Sequence, residues 1–198
     1  MHCFSHSLTS AALSSLIDLL DRDPKLLSNK QVADAVMIRL RHFVTHTDVN
    51  TRRRAAKLCG VLVSFLSEDA RVPFLDEFLG MCEKVERGTR LEHQEGAVCA
   101  SGYLIGSGVI SKADVTRAIK LYIGMANNVG KGQSAEANLA GIAAEAIGHA
   151  SLRNLLPSEI IGDALAALST VMQNTDPNVA KLAARAAGHV MLTDVRES

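Results

Sequence analysis

Hydrophobic positions along this chain recur with helical spacing. Four segments carry apolar residues at i, i+3, i+4 and i+7, the stripe of a helix with one side covered. They are Val32, Val36, Leu40, Phe43 and Val44; Leu75, Phe78, Leu79 and Cys82; Val115, Ala118, Ile119, Tyr122 and Ile123; and Ile161, Ala164, Leu165, Leu168 and Met172. Between them lie segments rich in Ala and Gly and apolar on nearly every side. The pattern predicts four outer helices alternating with four inner ones.

The inner segments share a short motif, small residues followed four or five positions later by Gly. Its copies are Ala55-Ala56-Lys57-Leu58-Cys59-Gly60, Ala97-Val98-Cys99-Ala100-Ser101-Gly102, Ala143-Ala144-Glu145-Ala146-Ile147-Gly148 and Ala183-Ala184-Arg185-Ala186-Ala187-Gly188. Gly60, Gly102, Gly148 and Gly188 stand 42, 46 and 40 residues apart. That period belongs to HEAT and armadillo arrays and is too long for tetratricopeptide or ankyrin units. A glycine inside a helix costs about 1 kcal/mol relative to Ala, so its recurrence needs a reason. Close approach of neighbouring helix backbones supplies one.

The expected fold is therefore all-α: a right-handed α-solenoid of about four HEAT-type hairpins with an extra N-terminal helix. The units are expected at 28–67, 70–110, 111–152 and 157–192, after an N-terminal helix and linker over 1–27. Ser28-x-x-Gln31 and Ser111-x-x-Asp114 read as capping boxes, and Asp176-Pro177 as a helix start. Asp48 stands twelve residues before Gly60, as Asp176 does before Gly188. A helix at about Thr9 to Leu20, closed by Asp23-Pro24, could be half of an earlier unit. The last inner helix, Val179 to Leu192, has little polar face, so the chain is expected to continue into further repeats or to be covered by a partner.

Composition narrows the class further. Hydrophobic residues make up 47% of the 198 positions, enough for a substantial core, while aromatics are only 4%, which favours closely packed helices over a sheet core. Lys and Arg number 21 and so do Asp and Glu, so no global field attracts nucleic acid or an anionic membrane. No apolar run is long enough to span a bilayer, and the first residues lack the features of a secretory signal. Cys3, Cys59, Cys82 and Cys99 show no Cys-x-x-Cys spacing, and the last three fall at apolar helical positions, as buried free thiols in a reducing compartment would.

Candidate chemistry is sparse. The Gly-rich segment Asn127 to Ser134, with Lys131, lacks the Gly-x4-Gly-Lys-Ser/Thr spacing of a P-loop and reads as a turn between helices. Gly102, Gly106, Ser107 and Gly108 form neither a nucleophile elbow nor a dinucleotide fingerprint. His42 and His46 are four apart, as two metal ligands on one helix face would be, with His2, Cys3 and His6 as further ligands; their alternative role is to complement a helix C-terminus. His149 and His189 each follow a repeat glycine and read as repeat positions. HEAT-like hydroxylases hold an iron pair with His-Glu dipeptides, and here His93 is followed by Gln94 instead. No catalytic, cofactor or metal residues are assigned. Arg52, Arg53, Arg54 and Lys57 form one dense basic cluster, which either pairs with acidic residues of adjacent repeats or meets an acidic groove on a partner protein.

Three stretches together resemble the proteasome adaptor and scaffold family, giant HEAT-repeat proteins associated with the proteasome. These are Arg53 to Val63, His93 to Gly106 (HQEGAVCASGYLIG), and Ala144 to Gly148 running on to Leu155-Leu156-Pro157. The likeness covers roughly Asp48 to Leu192. It implies a non-catalytic adaptor in the cytoplasm, and also the nucleus, that binds proteasome subunits and bridges core and regulatory particles. Members of that family are many times longer than this chain and offer no short motif whose residues could be assigned here. The alternatives are a HEAT scaffold of another class, in nuclear transport or phosphatase assembly, and a metal-dependent HEAT-like hydroxylase.

Overall fold

The computed structural model describes residues 2–27, 29–83, 91–129, 134–153 and 156–197. Among them are nine α-helices and no strand: α1 (His2–Arg22), α2 (Lys30–Val44), α3 (Val49–Leu62), α4 (Glu68–Glu83), α5 (Leu91–Gly106), α6 (Lys112–Asn127), α7 (Ala135–Ser151), α8 (Ser158–Met172) and α9 (Pro177–Glu197). Short 3-10 turns follow α1 and α3. The chain divides into two compact units, Met1–Val109 and Ile110–Ser198.

Helix starts follow local chemistry. Asp48 caps α3 by accepting from the Thr51 N–H and hydroxyl, both at 2.7 Å. Ser111 accepts from the Asp114 N–H and donates its hydroxyl to the Asp114 carboxylate at 2.6 Å, while Ser134 caps α7 through the Ala137 N–H. Asp176 accepts from the Asn178 N–H directly before Pro177 opens α9. These caps satisfy N–H groups that a first turn leaves without intrahelical partners. The cap of α2 is Asn29, which accepts from Gln31, so that helix starts one residue later than a Ser28 cap would place it.

In the first unit α3 packs against α1, α2 and α5, and α4 packs against α5. Arg52 reaches Glu95 and Gly60 faces Tyr103, contacts that advance by eight residues along both helices, so α3 and α5 run parallel. Leu13, Ile17 and Leu20 bury the inner side of α1, which packs on α3. It begins earlier than Thr9 and ends at Arg22, just before Asp23-Pro24.

In the second unit α7 packs against α6, α8 and α9, and α8 packs against α6 and α9. Gly141 faces Val179 and Leu182, and Gly148 faces Ala186, so α7 and α9 are also parallel. Tyr122 of α6, Ile147 of α7 and Leu168 of α8 are fully enclosed.

Two expected faces are rotated. In α2 the buried stripe is Ala33, Met37, Leu40 and Val44, whereas Val32 is 45% exposed. In α8 Ile160 and Val171 join Ile161, Ala164 and Leu168 in the core, and Met172 is 44% exposed. The physical reason is that several apolar stripes fit a 3.6-residue period when a helix is apolar on more than one side. The stripes expected in α4 and α6 are the buried ones, with Ile123 only half-buried.

Candidate functional site

The basic cluster at the start of α3 is divided by its surroundings. Arg52 is buried, and its guanidinium donates to the carbonyls of His46 at 2.8 Å and Thr47 at 2.9 Å and to the Glu95 carboxylate at 2.8 Å. Arg54 is half-buried and donates to the Ser10 hydroxyl of α1. Arg53 and Lys57 are exposed. A cation in a first helical turn opposes the local dipole. Here Glu95 neutralises Arg52, and carbonyls just past the end of α2 take its donors.

This charge joins three elements at one node. The Val44 carbonyl of α2 lies so close to Gly96 that a Cβ there would stand 1.8 Å from its oxygen, and 3.2 Å from Cδ of Arg52. His46 accepts the Asp48 N–H on Nδ1 at 3.0 Å, which holds the turn between α2 and α3. Gln94, beside Glu95, donates to the Cys82 carbonyl of α4. Gln94, Glu95 and Gly96 thus tie the first turns of α5 to α4, α3 and α2.

The repeat glycines differ in what they face. A Cβ on Gly60 would lie 2.6 Å from Cβ of Tyr103, and one on Gly148 would lie 3.1 Å from Cα and Cβ of Ala186. Gly102 is buried, and Gly188 is exposed with nothing within 4 Å of its missing side chain. Close approach therefore accounts for Gly60 and Gly148, and Gly188 offers the same repeat position with no described neighbour.

Around Gly148 the α7–α9 contact also carries charge. Arg185 pairs with Glu145 at 2.6 Å with its side chain 57% exposed. His149 and His189 stand one turn further along the same helices. Burial holds the His149 imidazole below its ordinary pKa; Glu145 opposes that shift, and the charges of Arg185 and His189 add to it. Glu145 and Arg185 each stand three residues before a repeat glycine, a correspondence in the sequence that could have signalled the pair.

Other candidates prove local. Burial raises the Cys59 thiol far above its ordinary value and pushes Cys82 up to about 12, against a lowering hydrogen bond from Ser101 at the latter. Cys99 is half-buried. His42 is exposed and His46 sits in the turn beyond α2. Among the described residues no three His, Cys, Asp or Glu side chains are grouped to hold a metal; the side chains of His2, Cys3 and His6 lie outside the description. Ser107 closes α5 by donating to the Leu104 carbonyl at 2.6 Å, and Gly108 takes φ 83°, a helix-ending turn suited to glycine. Lys131 lies outside the described residues.

Sequence reasoning missed Gly96 and Gly141; it expected the basic cluster to pair with acidic residues of adjacent repeats, as Arg52 does, without singling out Glu95. Gly96 lies six residues before Gly102, off the repeated position, and nothing local marks it as touching α2. No described helix is long and apolar enough to cross a membrane. Comparison with known proteins finds no family model, no curated protein and no solved structure that matches the chain.

Proposed function

We propose that this chain is a non-catalytic protein-binding module, a HEAT-type α-solenoid segment that associates with the proteasome in the cytoplasm and nucleus and helps bridge its core and regulatory particles. The observation that carries the scaffold reading is the recurrence of one contact: a parallel pair of helices, α3 on α5 and α7 on α9, with α2 and α4 packed beside the first pair and α6 and α8 beside the second. Repeated hairpins of this kind build extended surfaces from near-neighbour contacts, a form suited to holding other proteins. The proteasomal assignment rests on the resemblance of the stretches Arg53 to Val63, His93 to Gly106 and Ala144 to Gly148.

Within the basic cluster, Arg53 and Lys57 are the residues available to an acidic partner surface, because Arg52 and Arg54 are engaged inside the first unit. The test is direct binding of the purified chain to purified core and regulatory particles, read by co-sedimentation and by a shift of peptidase activity on a native gel. Comigration with either particle, weakened by Arg53→Glu with Lys57→Glu, is the expected result. Failure to bind either particle at concentrations where the chain is folded would overturn the proteasomal assignment.

A further inference from the structure

The contact between α7 and α9 carries a second polar rung beyond the ion pair at its rim. Glu145 and Arg185 meet at 2.6 Å. His149 stands four residues after Glu145 on α7, and His189 four residues after Arg185 on α9. Because the two helices are parallel, one turn's advance on both sets the imidazoles against each other as the acid and base are set. His189 reaches across the contact: its Nδ1 lies 3.4 Å from where a Cβ on Gly148, the residue before His149, would stand. Ala186 lies 3.1 Å from that same point, so the histidines flank a close backbone approach, and both rings are half-buried there.

Histidine is the side chain whose charge ordinarily changes between about pH 5 and pH 8. With both rings neutral, Glu145 and Arg185 balance. With both protonated, two positive charges are added across one contact, and a single carboxylate serves three cations. Burial disfavours the charged His149 ring most; Glu145 favours it, and Arg185 and His189 disfavour it. Of the charged residues on the other helices packed here, Glu159 and Asp163 of α8 and Lys112, Arg117 and Lys120 of α6 are exposed, and Asp114 of α6 is held by Ser111 at its helix start. Lys181 of α9 is exposed about two turns before His189.

We propose that the His149–His189 rung is an acid-released latch: neutral rings let α9 close on α7, and their protonation loosens α9 from the core of the second unit. The inference does not depend on the proteasomal reading. The closed contact holds a proton on His149 more weakly than the open chain does, so the latch is strongest above the ordinary histidine range and weakens as pH falls below it.

The experiment is hydrogen exchange of the full chain at about pH 7.5 and about pH 5.5, with each amide's intrinsic rate divided out. Protection of α9 is expected to fall several-fold more than that of α3, which lies in the other unit and contains no histidine. In a chain with both His149→Gln and His189→Gln that excess loss should vanish; His189→Gln alone, which should shrink it, serves if the double variant does not fold. Imidazole NMR titration adds a readout that a merely structural histidine would not move: His189→Gln should raise the midpoint of His149, and Glu145→Gln should lower it. Equal loss of protection in α9 and α3, an excess loss that persists undiminished in the folded variants, or a His149 midpoint indifferent to His189→Gln would each overturn the latch.

Discussion

Both units stack one small-residue helix on another, yet α3 and α5 are joined through a buried charge, whereas α7 and α9 meet through glycine and alanine with their charges in water. In the first unit Arg52 and Glu95 have side chains only 6% and 11% exposed. Taking such ions out of water is costly, and the pair offsets it with directed bonds: one guanidinium nitrogen donates to two turn carbonyls and another to the Glu95 carboxylate. In the second unit Arg185 and Glu145 lie at the rim, where solvent screens them. Close backbone approach serves both contacts, at Gly60 on Tyr103 and at Gly148 on Ala186, and the first unit adds a buried polar node to it.

Removing one cation from each contact should separate the two most widely. Arg52→Ala leaves Glu95 buried without its partner and is expected to cost about 3–5 kcal/mol, whereas Arg185→Ala should cost no more than about 1 kcal/mol. Urea unfolding of both variants checks this, and equal midpoints would remove the distinction between node and rim.

Adding one methyl group probes the other half of the contrast. Gly96→Ala drives a Cβ into the Val44 carbonyl, a backbone atom that cannot swing aside, and should cost about 3 kcal/mol. Gly188→Ala meets nothing and should stabilise α9 by up to about 1 kcal/mol through helix propensity. A Gly96→Ala chain as stable as wild type would mean that α5 does not press on the end of α2.

The smallest effect concerns pH. Since burial lowers the pKa of His149 in the folded chain below the ordinary 6.5, the unfolded chain takes up its proton first as pH falls. The resulting stability is present above the unfolded value, declines as pH drops from there toward the folded value, and is gone below it. Melting temperatures at about pH 7.5 and about pH 5.5 should differ less in His149→Gln than in wild type. An unchanged difference would place the pH dependence on other groups.

Much of the helical framework was legible in the residues themselves. Asp48, Ser111 and Asp176 precede helix starts because a short polar side chain meets the first free N–H groups wherever the chain turns into a helix; α2 takes Asn29 in place of the expected Ser28, and the Ser134 cap was not foreseen. The glycine period marked which segments pack closely, since a mid-helix glycine costs stability unless another backbone needs its space. The faces of α2 and α8 were less legible because Val32 and Met172 fit an apolar stripe as well as Met37 and Val171 do. Only the neighbours a helix meets select between such stripes.

What the sequence determined by itself is local: where helices begin and end, which of them are small enough to approach one another, and that the acid and base counts cancel. Tertiary structure alone decided the partners. Arg52 and Arg53 are adjacent and chemically identical, yet one is buried against Glu95 and the other faces water, because successive residues on a helix point about 100° apart and only one direction meets α5. Likewise Gly148 and Gly188 share a motif, and only the position of α9 makes one a packing contact and leaves the other an open surface.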